Sequence, residues 1–155
     1  MKVTILCVGK IKEKFYKDAL AEYAKRLLAY CSLDVIEVAD ERTAEGEEAR
    51  ILEKEGQRIL GRLPEHAYIV ALCIDGKQRD SVGMARWMED LTNHGQSHIV
   101  FIIGGSCGLS PQVIAQADEK ISFSKLTFPH QLMRVILSEQ IYRSFRIIKG
   151  EPYHK

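Results

Sequence analysis

Two short runs in which every residue is apolar, residues 68–74 and 99–103, restrict the fold of this chain more than any other feature. Such runs are typical of strands that helices cover on both faces. The pattern of apolar residues predicts strands at 2–8, 33–38, 68–74, 99–103 and 121–123, and helices at 11–30, 52–63, 81–93, from 111, and 129–148. This alternation predicts an α/β fold with a mostly parallel sheet and helices on both of its faces.

Two local signals refine this pattern. The segment 33–38 alternates between apolar and polar residues, which is typical of a strand near the edge of a sheet. Asp75-Gly76 directly follows the apolar run at 68–74, and this pair favours a turn. We therefore expect the third strand to end before Asp75.

Length and composition indicate one globular domain spanning residues 1–155. A chain of 155 residues has the size of a single domain. Its 46% of apolar and 28% of charged residues favour a folded domain over a disordered chain. The longest apolar stretch, residues 67–74, is far shorter than the ~20 residues of a membrane helix. With no signal peptide at the start, we expect a cytoplasmic protein without a membrane partner.

The four cysteines do not form a metal motif. Cys7, Cys31, Cys73 and Cys107 are separated by 24, 42 and 34 positions, and none belongs to a C-x-x-C pair. Structural zinc sites and thiol redox motifs use cysteines that lie much closer together. We therefore expect no metal cofactor.

Charge is distributed unevenly along the chain. Residues 1–30 carry a net charge of +4, residues 31–119 one of −8 and residues 120–155 one of +5, which sum to the +1 of the whole chain. If the two ends meet in space, they form a basic face that suits a phosphate backbone. The alternative is that the lysines of the first helix only form a solvated surface.

Loops at the carboxyl ends of the strands are the candidate ligand site, because open α/β sheets bind ligands there. These loops are residues 75–77, 104–108 and 124–130. The glycine-rich loop at 104–108 lacks the lysine of a nucleoside triphosphate loop. It also lacks the early G-x-G-x-x-G pattern of a dehydrogenase. Its adjacent glycines permit close approach of the backbone to a flat ligand. In the third loop, we expect His130 to cap the first turn of the last helix.

The last helix and the tail carry further candidates. Ten of the nineteen positions 130–148 are apolar and reach most of the way round the helix, which predicts that a second copy of the chain covers it. Glu139, Arg143 and Arg146 form one polar stripe, either as an exposed ion pair or as a carboxylate-oriented arginine that faces RNA or substrate. The tail 150–155 combines an aromatic ring, an imidazole and a cation, which is unusual for a frayed end.

Several of these segments together resemble a known family. They are Gly104-Gly105-Ser106-Cys107-Gly108-Leu109, Ser122-Phe123-Ser124-Lys125-Leu126-Thr127-Phe128-Pro129-His130-Gln131, Arg134-Val135, Glu139-Gln140-Ile141-Tyr142-Arg143 and Pro152-Tyr153-His154. This set closely resembles the ribosomal RNA large-subunit methyltransferase H family, which belongs to the trefoil-knotted SPOUT class. The resemblance extends over the whole chain.

The resemblance implies a specific activity. It implies an S-adenosylmethionine-dependent homodimer that methylates N3 of a pseudouridine in a stem-loop of the large-subunit (23S) rRNA, on assembled ribosomes. It also implies a trefoil knot in the C-terminal part of the chain. The implied cofactor-binding residues are Leu72, Gly104, Phe123, Ser124, Lys125, Leu126, Thr127 and Phe128. Because S-adenosylmethionine has no phosphates, this cofactor agrees with the missing phosphate-binding lysine.

The same resemblance suggests the catalytic residues. N3 carries a weakly acidic proton, so a base must help to remove it. His154 is the candidate base, since an imidazole titrates near neutral pH. Tyr153 would shape the pocket for the target nucleobase. Arg143, oriented by Glu139, would hold phosphate or polarise a carbonyl oxygen. The alternative function is a non-catalytic ribosome-associated RNA-binding factor, which would bind RNA without a cofactor.

Overall fold

The computed structural model describes residues 1–155 and confirms the predicted α/β class. Its ten elements are, in chain order, β1 (Lys2–Val8), α1 (Lys14–Leu27), β2 (Ser32–Val38), α2 (Glu48–Leu60), β3 (Tyr68–Gln78), α3 (Ser81–Asn93), β4 (His98–Ile103), α4 (Pro111–Gln116), β5 (Glu119–Ser122) and α5 (His130–Ile148). None of the helices is both long enough and apolar enough to cross a bilayer.

The five strands form one parallel sheet in the order β2-β1-β4-β3-β5. At its centre, Ile5 of β1 lies between Val35 of β2 and Phe101 of β4. β2 is an edge strand, as its alternating pattern indicated. The carboxyl ends of β4, β3 and β5 lie side by side, so the loops that follow them share one edge of the sheet.

The end of β3 differs from the prediction. The strand continues past Asp75-Gly76 because Leu72 and Lys77 both pair with Ile121 of β5, and residues 73–76 bulge out between them. Gly76 permits this pairing, since a Cβ atom there would lie only 2.4 Å from the carbonyl carbon of Ile121. The expected turn is therefore a bulge, and the strand resumes after it.

Helix α1 is shorter than the predicted span of 11–30. Its amino end starts later because Glu13 is extended, with φ −78° and ψ 132°. Hydrogen bonds to other elements hold the segment before it: Ile11 N donates to Glu37 Oε2 at 2.9 Å and Lys12 N to Gln131 Oε1 at 3.3 Å. Helix α2 begins four residues before the predicted start at 52 and ends three residues before the predicted end at 63. The other boundaries agree within two residues.

The core occupies both faces of the sheet, because successive side chains of a strand point to opposite faces. Val3, Ile5 and Cys7 of β1 pack with α1, α3 and α5 on one face. Leu6 and Val8 belong to a smaller cluster on the other face, which includes residues of α2 and α4. All five side chains are fully buried or nearly so.

The apolar character of α5 has an explanation within one chain. Helix α5 packs against both α1 and α3, and none of its residues is exposed. The apolar character of α5 therefore does not require a second copy, because α1 and α3 cover much of the helix. The homodimer itself stays a prediction.

A buried guanidinium fixes α5 to the sheet. Arg134 is fully buried, and its Nη2 donates to the carbonyl oxygens of Val8 at 3.0 Å and Gly9 at 2.7 Å. Its Nη1 donates to Glu37 Oε2 at 2.7 Å, the oxygen that also accepts from Ile11 N. One side chain of α5 thus joins the carboxyl ends of β1 and β2.

We predict that Arg134→Met lowers the free energy of unfolding by about 2–4 kcal/mol, because the variant lacks three charge-assisted hydrogen bonds and leaves two carbonyl groups without a donor. Urea unfolding measures the change. Arg134→Lys should recover only part of it, since an ammonium group cannot reproduce the planar fork. Arg86→Met, at an exposed arginine without an ion pair, is the control and should stay within about 0.5 kcal/mol of the unmodified protein. Equal stability of the two methionine variants would contradict the role of Arg134.

Candidate active site

A cleft of about 730 Å³ opens at the carboxyl ends of β3, β4 and β5. This volume lies in the range of small-molecule sites. Its walls come from the β3 bulge, the glycine loop (residues 104–108), the segment after β5 and the first turn of α5. Two of the three loops selected from the sequence, 104–108 and 124–130, thus meet at one cavity.

The cleft is almost free of charge. No lysine, arginine, aspartate or glutamate lines it. Its titratable side chains are Cys73, Cys107 and His130. Burial and the neighbouring Arg134 guanidinium lower the pKa of His130, so its imidazole is neutral at pH 7. A ligand of this cleft is therefore held by apolar contacts, the neutral polar side chains and backbone groups.

The first turn of α5 differs from the prediction for His130. The helix begins after Pro129 with no side-chain cap, so His130 does not cap it. Instead, the imidazole faces Gly9, where a Cβ atom would lie 3.4 Å from its Nε2. His130 is therefore a wall of the cleft next to the end of β1.

The glycine loop is a tight turn closed by its own backbone. Gly108 N donates to Gly105 O at 3.0 Å. A Cβ atom on Gly104 would lie 2.5 Å from Gly108 O, and Gly108 has a φ of +83°. Because backbone atoms cannot move aside as a side chain would, any side chain at position 104 must open the turn.

Seven of the eight residues suggested for the cofactor line the cleft. They are Leu72, Gly104, Phe123, Ser124, Leu126, Thr127 and Phe128. The eighth, Lys125, is exposed and is not among the lining residues. Sequence reasoning did not select Cys73, Ile74 or Met133. The first two line the cleft because β3 bulges after Leu72, which its apolar pattern does not reveal.

The four residues suggested for catalysis also meet, but elsewhere. We call Glu139, Arg143, Tyr153 and His154 the tail cluster. Arg143 is its centre: it donates to Glu139 Oε1 from Nη2 at 2.6 Å and from Nε at 3.0 Å, and its guanidinium lies 4.7 Å from the Tyr153 ring centroid. Tyr153 OH donates to the same Glu139 oxygen at 3.0 Å. The polar stripe of α5 is thus an oriented arginine rather than a freely exposed pair.

The hydrogen bonds of the cluster determine its protonation. Arg143 Nη1 lies 3.2 Å from Nδ1 of the exposed His154. A guanidinium only donates, so Nδ1 of His154 is the acceptor of this hydrogen bond. Burial and the hydrogen bond to Glu139 raise the pKa of Tyr153, which keeps its phenol protonated. The hydrogen bond to Glu139 raises the pKa of Arg143, which is always cationic.

The tail is docked rather than frayed. Arg146 forms an ion pair with Glu151 and donates from Nη2 to Pro152 O at 3.1 Å. The Tyr153 ring packs edge-on against Tyr142, with 4.9 Å between the centroids. Packing against α5 therefore holds Tyr153 in place. α5 itself supplies the aromatic and cationic partners.

The cleft and the tail cluster lie apart on α5. The helix contributes His130 and Met133 to the cleft and Glu139 and Arg143 to the cluster. From Met133 to Arg143 the helix rises by roughly 15 Å. No residue of the tail lines the cleft. Within one chain, the two groups of predicted residues do not form a single site.

A buried carboxyl group lies behind the glycine loop. Glu55 is 3% exposed, and its Oε2 accepts from Glu41 N at 2.9 Å, whereas Oε1 has no partner. A Cβ atom on Gly105 would lie 3.0 Å from that oxygen. Burial raises the pKa of Glu55, and the nearby Asp40 carboxylate adds to this effect.

We predict a pH signature of Glu55 in stability. Because its folded-state pKa is raised, the folded chain binds more protons than the unfolded chain above the ordinary glutamate value of about 4.3, and stability falls as pH rises through the folded pKa. Glu55→Gln removes this titration. In urea unfolding, the free energy of unfolding of this variant should rise relative to that of the unmodified protein as the pH increases from 4 to 7. Glu53→Gln, on the exposed face of α2, is the control: its free energy of unfolding should differ from that of the unmodified protein by the same amount at every pH. The same constant difference for Glu55→Gln would contradict a raised pKa of Glu55.

Comparison with known proteins agrees with this architecture. Residues 1–154 match a family described as "Predicted SPOUT methyltransferase". Two proteins named "Ribosomal RNA large subunit methyltransferase H" are similar to this chain over the full length of both partners. The one from Bifidobacterium adolescentis is 55% identical and the one from Bacillus pumilus 50%. A protein from Methanococcus maripaludis, named "Putative ribosomal RNA large subunit methyltransferase H", is 57% identical over the same extent.

One solved structure supports the fold. A probable methylase family protein from Haemophilus influenzae superimposes with a TM-score of 0.56 at 9% sequence identity, over 99% of this chain and 70% of that one. At this identity the likeness concerns the fold alone. The family match, the full-length relatives and the parallel sheet lead to one assignment: the chain belongs to the SPOUT methyltransferase family.

Proposed function

We propose that the chain is an S-adenosylmethionine-dependent methyltransferase that acts on N3 of a pseudouridine in a stem-loop of large-subunit rRNA, on assembled ribosomes. The observation that carries this proposal is the uncharged cleft at the strand ends of a SPOUT family member. The names of the full-length relatives support rRNA as the substrate class. The nitrogen and the assembled ribosome follow from the family resemblance.

The cleft fits the proposed cofactor. S-adenosylmethionine has an adenine, a ribose and a sulfonium but no phosphates, and the cleft has no cationic side chain to hold a phosphate. Leu72, Phe123 and Phe128 offer apolar walls to the adenine. The Gly104 backbone allows close approach to its edge. When bound, the cofactor supplies the methyl group.

The tail cluster supports the substrate half of the reaction. Arg143 is held by Glu139 and lies on the Tyr153 ring, so its guanidinium is preorganised to bind a phosphate or a uracil carbonyl oxygen. His154 is the proton acceptor for N3. Since its basic Nδ1 accepts from Arg143, the imidazole becomes available as a base when the RNA takes its place as the acceptor of Arg143 Nη1. Binding of the substrate would thereby activate the base.

A homodimer would combine the two halves. The tail cluster of one copy would face the cleft of the other, because within one chain α5 separates them by roughly 15 Å. Two apolar side chains at the rim of the cleft are exposed in the single chain: Ile74 is 54% and Leu126 70% exposed. Their exposure supports a dimer in which the second copy covers this rim. The complete site would thus exist only in the assembled pair.

We predict that S-adenosylmethionine binds the unmodified protein with micromolar affinity in calorimetry. Gly104→Val should weaken binding at least about tenfold, equivalent to 1.4 kcal/mol, because the side chain opens the turn against Gly108. The circular dichroism spectrum should stay native. Ser97→Ala, which removes an exposed hydroxyl before β4 and outside the cleft, is the control and should bind normally. A folded unmodified protein that binds ribosomes but gives no heat with the cofactor would be the non-catalytic RNA-binding factor.

The shared site predicts complementation between two inactive chains. Gly104→Val keeps the tail cluster but loses the cleft, and Arg143→Ala keeps the cleft but loses the cluster. Co-expressed with different tags and purified as a mixed pair, they should recover about half of the unmodified methyl-transfer activity, because one of the two sites is complete. Each variant alone is the control and should be inactive. A mixed pair without activity, or a monomeric mass in light scattering, would contradict the shared site.

A further inference from the structure

The start of α1 has an exposed surface that the proposed chemistry does not use. We define the α1 patch as Lys10, Lys12, Phe15 and Lys17. All four residues are exposed, and the Phe15 side chain is 64% exposed. Single exposed apolar residues are common on proteins, so the exposure of Phe15 alone decides nothing. Its position among cations is the informative feature.

The ammonium groups of the three patch lysines have no partners in the protein. None of the three forms an ion pair, whereas their neighbour Lys14 pairs with Asp18 at 2.7 Å. The first turn of α1 contains no acidic residue, and no side chain caps it. Cations at this end of a helix oppose its dipole and cost stability, typically by about 0.3–1 kcal/mol each. The local sequence is therefore not optimised for the helix, which is characteristic of a functional surface.

The patch lies beside the cleft. Lys12 N donates to the Gln131 side chain at 3.3 Å, on the first turn of α5. Gly9, at the start of the same connection, lies against His130, a wall of the cleft. α1 also packs on α5, so the two basic ends of the chain do meet. A ligand bound across the α1 patch would thus be close to the mouth of the cleft.

We propose that the α1 patch is a docking surface for an unpaired segment of rRNA. Phe15 stacks on one base. Lys10 and Lys12 contact phosphates before the helix, and Lys17, two residues after Phe15 and therefore on the opposite flank of α1, contacts a phosphate across the helix. This combination of an aromatic ring with cations is the usual way in which proteins hold single-stranded RNA. The proposal rests on the proposed function and adds where the substrate is held in addition to the tail cluster.

A second copy of the chain is a poorer occupant of this surface. In a two-fold symmetric interface, both subunits use the same surface, so the α1 patch of one copy would contact the α1 patch of the other or residues close to it. Patch against patch would bring six unpaired lysine charges together, with only the exposed Glu13 carboxylate of each copy to offset them. The polyanionic backbone of RNA instead neutralises them and releases counterions. Charge complementarity therefore favours RNA.

Phe15→Ala and the double variant Lys12→Glu/Lys17→Glu test the surface. The measurement is single-turnover methylation as ribosomes lacking the modification are titrated. Phe15→Ala should raise the ribosome concentration for half-maximal rate at least about fivefold, the lower limit of one base–aromatic stack. A plot of the logarithm of ribosome affinity against the logarithm of salt concentration should be less steep for the double variant, by about 1.4–1.8 in slope. The reason is that lysines no longer neutralise two phosphates. The maximal rate and the affinity for S-adenosylmethionine should not change.

Two matched variants are the controls. Leu28→Ala removes the exposed apolar residue at the opposite end of α1, which is 78% exposed. Arg62→Glu reverses an exposed, unpaired charge before the amino end of β3, whereas the cleft lies at the carboxyl ends of the strands. Both should behave as the unmodified protein. The double variant should also be at least as stable in urea as the unmodified protein, because an acidic residue in the first turn of α1 agrees with the helix dipole.

The outcomes separate this proposal from the proposed function. If Phe15→Ala and Leu28→Ala have the same half-maximal concentration, the docking surface is incorrect. If Phe15→Ala lowers the mass in light scattering, the patch is an interface between copies, and the RNA proposal is overturned. If even the unmodified protein transfers no methyl group, the proposed function fails. Fluorescence anisotropy of labelled rRNA fragments with the same variants then still decides whether the α1 patch binds RNA.

Discussion

The buried guanidinium of Arg134 makes the contact on which the positions of both the cleft and the tail cluster depend. It binds two carbonyl groups at the end of β1 and the Glu37 carboxylate of β2. Glu37 also accepts from Ile11 N, so the segment that leads into α1 is fixed by the same carboxylate. Helix α5 has the cleft at its first turn and the tail cluster along its second half. Fixing this one helix on the sheet therefore positions both regions, and the rise of the helix between them separates them.

The fold could be predicted because burial leaves a periodic signal. The continuous apolar runs of β3 and β4 and the alternation of β2 correctly indicated central and edge strands. The bulge in β3 could not be predicted, since it depends on the close approach of Gly76 to Ile121, a contact between residues 45 positions apart. The bulge also decides that Cys73 and Ile74 line the cleft. The rule that ligands bind at strand ends located the cavity, whereas this register irregularity shaped one of its walls.

The tail shows a different limit of sequence reasoning. Residues after a final helix have no periodicity, and a frayed end is the default expectation. Here Arg146 and Tyr142 hold the tail by an ion pair and an aromatic contact, and both residues belong to α5. The pairing of Arg143 with Glu139 was visible as a spacing of four residues. Its contacts with Tyr153 and His154 require the chain to turn back on the helix, which spacing along the sequence does not encode.

The separation of cleft and tail cluster has an electrostatic consequence for the proposed reaction. A sulfonium in the cleft and the Arg143 guanidinium are both cations, and two cations in contact repel each other by about 4 kcal/mol at an effective dielectric constant of about 20. Within one chain they are kept apart, and Glu139 balances the charge of Arg143. In the shared site, the RNA phosphates would provide the negative charge that lets the two cations approach. The same anion would displace Nδ1 of His154 from Arg143 Nη1. Neutralising the site and releasing the base would then be one event, coupled to the arrival of the substrate.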